Sequence, residues 1–181
     1  MADSVHLERT YFFLFFSDEF SRKATSKGLS LYSEHNGSNV TVKGDADKLE
    51  QVLANLLTNA IKFTSRGNIN FHSEYSDGKL RIEIRDTGIG MDEETLKRIF
   101  APFERAAQNV NSEGFGLGLF LTKGLIKVLE GKMDVESEPG KGSVFRLELP
   151  LPETDELVEE DKPDCNSITI LPKNVLVVDD D

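Results

Sequence analysis

The chain has 181 residues, of which 38% are hydrophobic and 29% are charged, and its formal net charge at pH 7 is −11. This length suffices for one domain with a substantial core and barely for two. The longest apolar run near the start, at 11–16, is much shorter than the ~20 residues of a membrane span and lacks signal-peptide flanks. Together with a single cysteine, Cys165, these features predict a cytoplasmic protein without disulfides or direct membrane contact.

The negative charge is concentrated towards the C-terminus. Residues 153–164 contain seven acidic residues and one lysine, and Asp179, Asp180 and Asp181 end the chain. The remainder is nearly balanced and has no basic stripe of the kind that binds nucleic acid, so a nucleic-acid partner is not expected.

The first predicted elements are one helix and two short strands. Apolar residues at three- and four-residue steps favour a helix over 8–27, with Gly28 as its stop. Strands are predicted at 29–34 and 39–44, separated by the Asn-Gly turn signal at 36–37.

A long helix, a hairpin and a short helix are predicted next. The long helix covers 46–63, and the strands at 68–75 and 79–86 are joined into a hairpin by Ser-Asp-Gly at 76–78. A short polar helix follows at 92–99.

The last predicted elements follow a polar loop at 104–114. A helix runs from 117 to 129, and Gly131 is the predicted C′ residue, the first residue beyond the helix cap. Strands at 132–138 and 143–149 close the domain around a glycine-rich turn.

These elements give one predicted domain over 5–150. Residues 151–173 are acidic, contain three prolines and show little periodicity, which is typical of a linker. The final residues 174–181, NVLVVDDD, have the pattern of a single strand that ends in acids.

Asp86 ends the second hairpin strand in an unusual position. Period-two alternation places it on the same face as Leu80, Ile82 and Ile84. A carboxylate facing the core is costly unless another group pairs with it. From the strand alone, Asp86 either faces a ligand or lies past the strand end and caps the following turn.

The long helix carries a polar stripe beside its apolar face. Asn55, Asn59 and Lys62 are spaced four and three residues apart and fall on one side. An amide oxygen can ligate Mg²⁺, and a neighbouring lysine can contact phosphate oxygens. The stripe alone nevertheless fits a solvated helix face better.

The stretch NSEGFGLGLF at 111–120 is glycine-rich but not specific alone. It has neither the spacing of a dinucleotide-binding loop nor the final Gly-Lys-Ser/Thr of a P-loop.

The aromatic patch before it, IFAPFER at 99–105, is most simply explained by Phe100 and Phe103 as core residues.

Taken in order, the motifs resemble those of the ATP-binding catalytic domain of sensor histidine kinases, in the GHKL superfamily. The resemblance covers residues 5–150 without a gap. The matching segments are the N box (55–64), first glycine box (86–91), F box (99–105), second glycine box (114–119) and a last glycine-rich turn (140–145). The resemblance implies an α+β fold, a two-layer α/β sandwich (the Bergerat fold) with a mixed sheet covered on one face by helices.

The resemblance also implies roles for the residues of the core site. Asp86 would accept a hydrogen bond from the adenine amino group, Gly88 and Gly90 would let the backbone turn around the base, and Ser143 would assist there. Asn59 would coordinate Mg²⁺, and the catalytic pair Asn55 and Lys62 would lie along the triphosphate. Residues 104–113 would form the ATP lid. The other implied nucleotide-binding residues are Phe103, Arg105, Gly114, Gly116, Leu117 and Gly118.

The sequence departs from the family pattern in two respects. Phe115 stands where a small or hydroxyl residue is usual, and Glu113 stands where a further glycine is usual. The phosphoacceptor module is also missing, because HLERT at 6–10 has the wrong order for a phosphoacceptor box and its surroundings are already ATP-domain elements. We therefore interpret all three histidines, His6, His35 and His72, as non-catalytic.

The implied function is to bind ATP·Mg²⁺ and present its γ-phosphate to a histidine on a separate phosphoacceptor domain. The C-terminal strand resembles the start of a receiver domain, so the parent protein would be a hybrid kinase. That parent would be either a cytoplasmic protein or a membrane-anchored sensor of which this chain is a cytoplasmic part. The monomeric fragment would turn over little ATP. One alternative is an ATP hydrolase similar to gyrase-type topoisomerases or heat-shock chaperones, which carry a glutamate where this chain has Asn55. Another is a nucleotide-binding scaffold without kinase activity.

Overall fold

The computed structural model describes residues 5–37, 40–102 and 117–154. The predicted ATP lid, most of the acidic linker and the C-terminal strand lie outside the described residues. The helices are α1 (Arg9–Ser26), α2 (Ala46–Phe63), α3 (Glu93–Arg98) and α4 (Gly118–Val128). The strands are β1 (Val5–Glu8), β2 (Ser30–Gly37), β3 (Thr41–Gly44), β4 (Asn68–Ser76), β5 (Lys79–Asp86), β6 (Lys132–Glu138) and β7 (Gly142–Pro150).

Five of the strands form one mixed sheet with the order β2-β4-β5-β7-β6. β2 and β4 are parallel, whereas the other neighbours are antiparallel. α1 packs on β2, α2 on β5, and α4 on β6 and α2. Alternate residues of β5, among them Leu80, Ile82 and Ile84, are buried under this helical layer. The predicted α+β fold, with a mixed sheet and helices, is confirmed.

The β4–β5 hairpin forms where it was predicted. Its turn residues Asp77 and Gly78 both have positive φ angles, 53° and 69°. Two successive residues with φ above zero match the right-handed twist of the strands, which is why Asp-Gly favours such turns. The register then pairs Ile69 with Asp86 at the far end of the hairpin.

The predicted turn at 36–37 is wrong, because both residues belong to β2. This strand continues to Gly37, which pairs with Tyr75 of the parallel neighbour β4. β3 does not return beside β2. It pairs instead with β1, a four-residue strand that the sequence pattern did not predict, in a separate two-stranded sheet.

The C-terminal end of α4 also differs from the prediction. The C′ residue is Glu130, with a φ of 56°, and not Gly131. The N–H groups of Glu130 and Gly131 donate to the carbonyls of Lys127 and Ile126, at 3.1 and 2.9 Å, in a Schellman motif. Gly131 is needed for a different reason: a Cβ there would overlap the side chain of Leu149.

Packing continues beyond residue 150, where we placed the start of the linker. Leu151 is buried in the core, and its carbonyl accepts a hydrogen bond of 2.8 Å from the Tyr75 hydroxyl. Glu153 forms a bridge with Val42, and the Thr154 N–H donates to the carbonyl of Thr41 at 3.0 Å. Residues 151–154 therefore pack with the domain.

No helix in the described part of the chain has the length and apolar character of a membrane span.

Candidate functional site

The polar stripe of α2 starts with Asn55, which is fixed against α4. The helix begins after its N-cap Asp45, whose side chain accepts the Lys48 N–H at 2.9 Å. Its apolar face lies on the sheet, so the stripe turns towards α4. There Asn55 Nδ2 donates to the buried Thr122 hydroxyl at 2.6 Å, and Asn55 Oδ1 lies against the backbone of Gly118. This contact ties the centre of α2 to the start of α4.

Asn59 lies one turn further along α2 and is half-buried. Within the described part of the chain its side chain makes no hydrogen bond, in contrast to that of Asn55. Lys62 follows on the same side, with its ammonium 5.4 Å from the centre of the Phe63 ring. An amide oxygen and a cation therefore lie along one line of the helix, which suits a bound anion with its counter-ion.

Asp86 is buried, with 6% of its surface exposed, at the end of β5. One carboxylate oxygen accepts the Gly88 N–H at 2.8 Å, and the backbone N–H of Ser143 also donates to the carboxylate. Burial raises the pKa of Asp86, and these two hydrogen bonds offset part of that rise. Asp86 caps the following turn, as one of the two interpretations had it, but it lies within β5 and not past its end. The other interpretation, that Asp86 faces a ligand, stays a prediction.

The turn after Asp86 is pressed against the end of α2. The Ile89 N–H donates to the Phe63 carbonyl at 3.2 Å, and a Cβ added at Gly88 would lie 2.5 Å from that same oxygen. Gly90 has a φ of 65°, and a side chain there would overlap the carbonyl of Glu138. Glycine is therefore required at both positions, by close approach at the first and by conformation at the second.

Ser143 lies directly across the sheet from Asp86. It is 8% exposed, and its hydroxyl is 3.0 Å from that of Ser137 on β6. Ser137 donates to the Gly142 carbonyl at 3.0 Å and accepts the Met91 N–H at 2.8 Å. Either hydroxyl can donate in the serine pair, and in both cases the Ser143 oxygen keeps a lone pair that can accept a further hydrogen bond.

The start of α4 supplies backbone N–H groups. Leu117 is the N-cap residue and makes no side-chain cap, so the first N–H groups of the helix depend on other partners. Gly118 lies beside Asn55, which orients this end of α4 towards the stripe. The partial positive charge of a helix N-terminus favours anions there. The predicted site residues Phe103, Arg105, Gly114 and Gly116 lie outside the described residues.

The described candidates follow one another along α2 and into the turn after Asp86. The Asn55–Gly118 contact lies at one end, Asn59 and Lys62 follow, and the Phe63 carbonyl leads to the turn that carries Asp86.

Two residues that support the candidate site, Phe63 and Ser137, were not predicted from the sequence. The alternation of β6, which places Ser137 on the inner face with Met133 and Val135, could have found the serine. The role of Phe63 is a backbone contact, which leaves no signal in the sequence.

Residues 44–153 match the sequence profile of the family described as histidine kinase-, DNA gyrase B- and HSP90-like ATPases. The chain belongs to this family. The profile covers α2, the glycine turn after Asp86, α4 and the last strands, so it includes every described residue of the candidate site. This ATPase family is also the one that the sequence motifs resemble.

The similar relatives are sensor histidine kinases. The chain is 44% identical over 114 residues to the sensor histidine kinase RcsC of Salmonella typhimurium, an alignment of 62% of this chain and 12% of that protein. It is 36% identical over 164 residues to the sensor histidine kinase GacS of Pseudomonas protegens, covering 86% of this chain and 17% of the relative. The chain thus spans less than a fifth of the length of these relatives.

Solved structures agree with this assignment. A full-length crystal structure of ShkA in complex with AMPPNP superposes with a TM-score of 0.75 at 26% identity, covering 85% of this chain and 32% of that one. The catalytic domain of the histidine kinase ThkA in a nucleotide-free form gives 0.70 at 27% identity, covering 82% of this chain and 95% of that one. Within its ATPase family, the chain is a histidine kinase catalytic domain.

Proposed function

We propose that this domain binds ATP with Mg²⁺ and presents the γ-phosphate to a histidine on a separate phosphoacceptor domain. The observation that carries the proposal is the buried carboxylate of Asp86. Its charged form is costly, and the neighbouring glycine turn brings the backbone close beside it. A buried acceptor that retains lone pairs is suited to an amino group of a flat ligand such as adenine, and the Ser143 hydroxyl lies directly across the strand pair.

The phosphate end would lie along α2 and the start of α4. Lys62 and the backbone N–H groups at Leu117 and Gly118 would contact phosphate oxygens. Gly114, Gly116, Phe103 and Arg105 remain predictions for the same region. The domain itself would then contribute positioning and charge stabilisation, without a covalent intermediate on the protein.

Asn59 fits the requirements of a Mg²⁺ ligand. Its amide carries a hard oxygen donor and makes no hydrogen bond within the described residues. Those residues hold no group of three or more histidine, cysteine or acidic side chains that could bind a metal alone. Mg²⁺ usually keeps one or two protein ligands beside phosphates and water, which is the coordination that Asn59 allows. When bound, the ion would neutralise charge on the transferred phosphoryl group.

The position of Asn55 favours phosphoryl transfer over ATP hydrolysis. An amide cannot act as a general base towards water, and here the amide is hydrogen-bonded to Thr122. The acceptor would be a histidine outside this chain. His6 lies in β1, and both ring nitrogens of His35 lie within hydrogen-bonding distance of serine hydroxyls. A phosphoacceptor domain and a receiver domain of a hybrid parent kinase are the proposed partners.

Calorimetric titration of the domain with ADP and ATP in the presence of Mg²⁺ tests nucleotide binding. Nucleotide at about 100 times its dissociation constant should also raise the free energy of unfolding by about 2.7 kcal/mol, which a thermal denaturation with and without nucleotide detects. Asp86→Asn should weaken binding, whereas Asp134→Asn, at a side chain that is 73% exposed on β6, should not. Equal affinity in wild type and Asp86→Asn would refute the assignment of the adenine site.

Labelled ATP and a separately purified phosphoacceptor domain distinguish the candidate functions. Acid-labile phosphate on the histidine of that domain is expected for a kinase. Rapid release of inorganic phosphate without transfer would instead support a hydrolase, and nucleotide binding without either product would support the scaffold alternative.

A further inference from the structure

The end of α1 makes an unexplained contact with the end of α2. The ammonium group of Lys27, just past α1, donates to the carbonyls of Ile61, Lys62 and Thr64 at 2.5, 2.8 and 3.1 Å. A lysine has three hydrogen-bond donors, so these three carbonyls use all of them. The contact joins residues that are 34 to 37 positions apart in the chain.

These carbonyls are the ones that a helix cannot satisfy by itself. The last four carbonyls of a helix have no partner within it and carry its partial negative charge. Thr64 caps α2 and is fully buried, and its own hydroxyl has no partner among the described residues. A cation that bridges three carbonyls is therefore well placed to fix this last turn, because hydrogen bonds from a charged donor are the strong ones.

Lys27 is itself held in a fixed position. The N–H groups of Lys27 and Gly28 donate to the carbonyls of Ala24 and Thr25, at 3.0 and 2.9 Å. Leu29 then donates to the same Ala24 carbonyl at 3.0 Å and is buried in the core. The backbone that carries the ammonium is thus anchored to α1 and, through Leu29, to the core.

The turn that Lys27 holds is also the turn that supports the candidate site. Lys62 belongs to it, and the neighbouring carbonyl of Phe63 accepts the Ile89 N–H and limits the approach of Gly88. Gly88 in turn donates to Asp86. A shift of this turn would therefore change the position of the Lys62 ammonium and of the Asp86 carboxylate together.

We infer that Lys27 is a positioning residue for nucleotide binding, which acts through the last turn of α2 and does not contact the ligand. This inference rests on the proposed function. It predicts that the ammonium of Lys27 determines nucleotide affinity as well as stability.

The test compares Lys27→Met and Lys27→Arg with Lys48→Met, which removes a lysine at the opposite end of the same helix. ADP affinity is measured by calorimetry in Mg²⁺, the free energy of unfolding by urea titration, and the exchange of the Ile89 amide hydrogen by NMR. Lys27→Met should weaken ADP binding about tenfold and accelerate exchange at Ile89. Lys27→Arg should restore most of the affinity, and Lys48→Met should leave it within about twofold of wild type.

Two results would overturn the inference while the proposed function stands. In one, the wild type binds ADP and Lys27→Met binds it equally well with unchanged exchange at Ile89. In the other, Lys48→Met weakens binding as much as Lys27→Met, which would indicate a general effect of lower stability. A wild type that does not bind ADP would instead refute the proposed function, and the inference with it. If Lys27→Met does not fold, Lys27→Gln, which keeps a donor without the charge, takes its place in the same comparison.

Discussion

The carboxylate of Asp86 is buried, and burial is unfavourable for its charged form. Its pKa is raised because the carboxylate is buried, although hydrogen bonds from Gly88 and Ser143 act in the opposite direction. A raised pKa in the folded state means that the charged form is less stable there than in the unfolded chain. The contribution to stability is therefore full below the ordinary pKa of aspartate and is lost as the pH rises through the raised value.

This sign gives a prediction for the ligand-free domain. The difference in unfolding free energy between Asp86→Asn and wild type should shift in favour of the variant as the pH rises through the raised pKa, because the amide never ionises. Urea titrations of both proteins across that pH range measure it. A difference that is constant with pH would contradict the assignment of a raised pKa.

The same residue should make nucleotide binding depend on pH. If the ionised carboxylate is the adenine acceptor, affinity for ADP falls as the pH decreases through the raised pKa of Asp86. Asp86→Asn should bind about 10- to 100-fold more weakly at neutral pH and should lose this pH dependence. Calorimetry at a series of pH values tests both, and a variant with wild-type affinity at neutral pH would contradict the prediction.

Two glycines of α4 offer a matched pair at the residue scale. A Cβ at Gly118 would overlap the amide oxygen of Asn55, whereas a Cβ at Gly124 would meet nothing within 4 Å. Gly118→Ala should therefore destabilise the domain by about 1–3 kcal/mol. Gly124→Ala should stabilise it by about 0.5–1 kcal/mol, because alanine loses less backbone entropy in a helix. Urea unfolding compares them, and similar effects at both positions would exclude a tight contact between α2 and α4.

At the scale of the element, the end of α4 is built against local preference. Glu130 adopts a left-handed conformation that glycine would adopt without strain, and its acid lies at the negative end of the helix. Glycine is present instead at the next position, where its lack of a side chain lets the backbone pass close to Leu149. The left-handed conformation is thus adopted by Glu130, whereas the close approach to Leu149 occurs at Gly131.

Substitutions at these two adjacent positions give a further prediction. Glu130→Gly should raise the free energy of unfolding by about 0.5–1 kcal/mol, because the left-handed conformation costs glycine less. Gly131→Ala should lower it, by about 1–3 kcal/mol, since the new methyl group would overlap Leu149. Thermal or urea denaturation measures both variants, and a destabilising Glu130→Gly would contradict this account of the helix end.

At the scale of the whole molecule, the two sheets are joined by the segment that follows β7. Leu151 lies in the core, and a Cβ on Gly44 would be only 2.6 Å from its side chain. The backbone of 152–154 then pairs with β3, through the Lys43 N–H and the carbonyl of Thr41. The stability of the small sheet thus depends on residues beyond the predicted domain boundary.

This dependence is testable by truncation and by substitution. A chain that stops at residue 150 should be less stable than one that stops at 154. Leu151→Ala should lower the free energy of unfolding by about 2–4 kcal/mol, because it leaves a cavity in the core. Leu14→Ala, at a position that is 56% exposed on α1, should change stability by less than about 0.5 kcal/mol. Equal stability of the two truncated chains would place the boundary at 150.

The sequence by itself determined the elements whose signals are local. α2 was predicted with its observed limits because its apolar residues repeat at helical spacing. The β4–β5 hairpin was predicted because alternation and the Asp-Gly turn act over a few residues, and the same alternation showed that Asp86 faces inward.

Tertiary structure alone decided the remaining features, and each depends on groups that are distant in the chain. The parallel pairing of β2 with β4 joins strands separated by α2, and no residue near the predicted turn at 36–37 encodes that choice. The contacts of Lys27 and of the Ile89 N–H are made with backbone carbonyls, which every residue carries. Side-chain patterns record which face is buried but not which backbone group lies opposite, and for this reason the support of the candidate site could be found only in the folded chain.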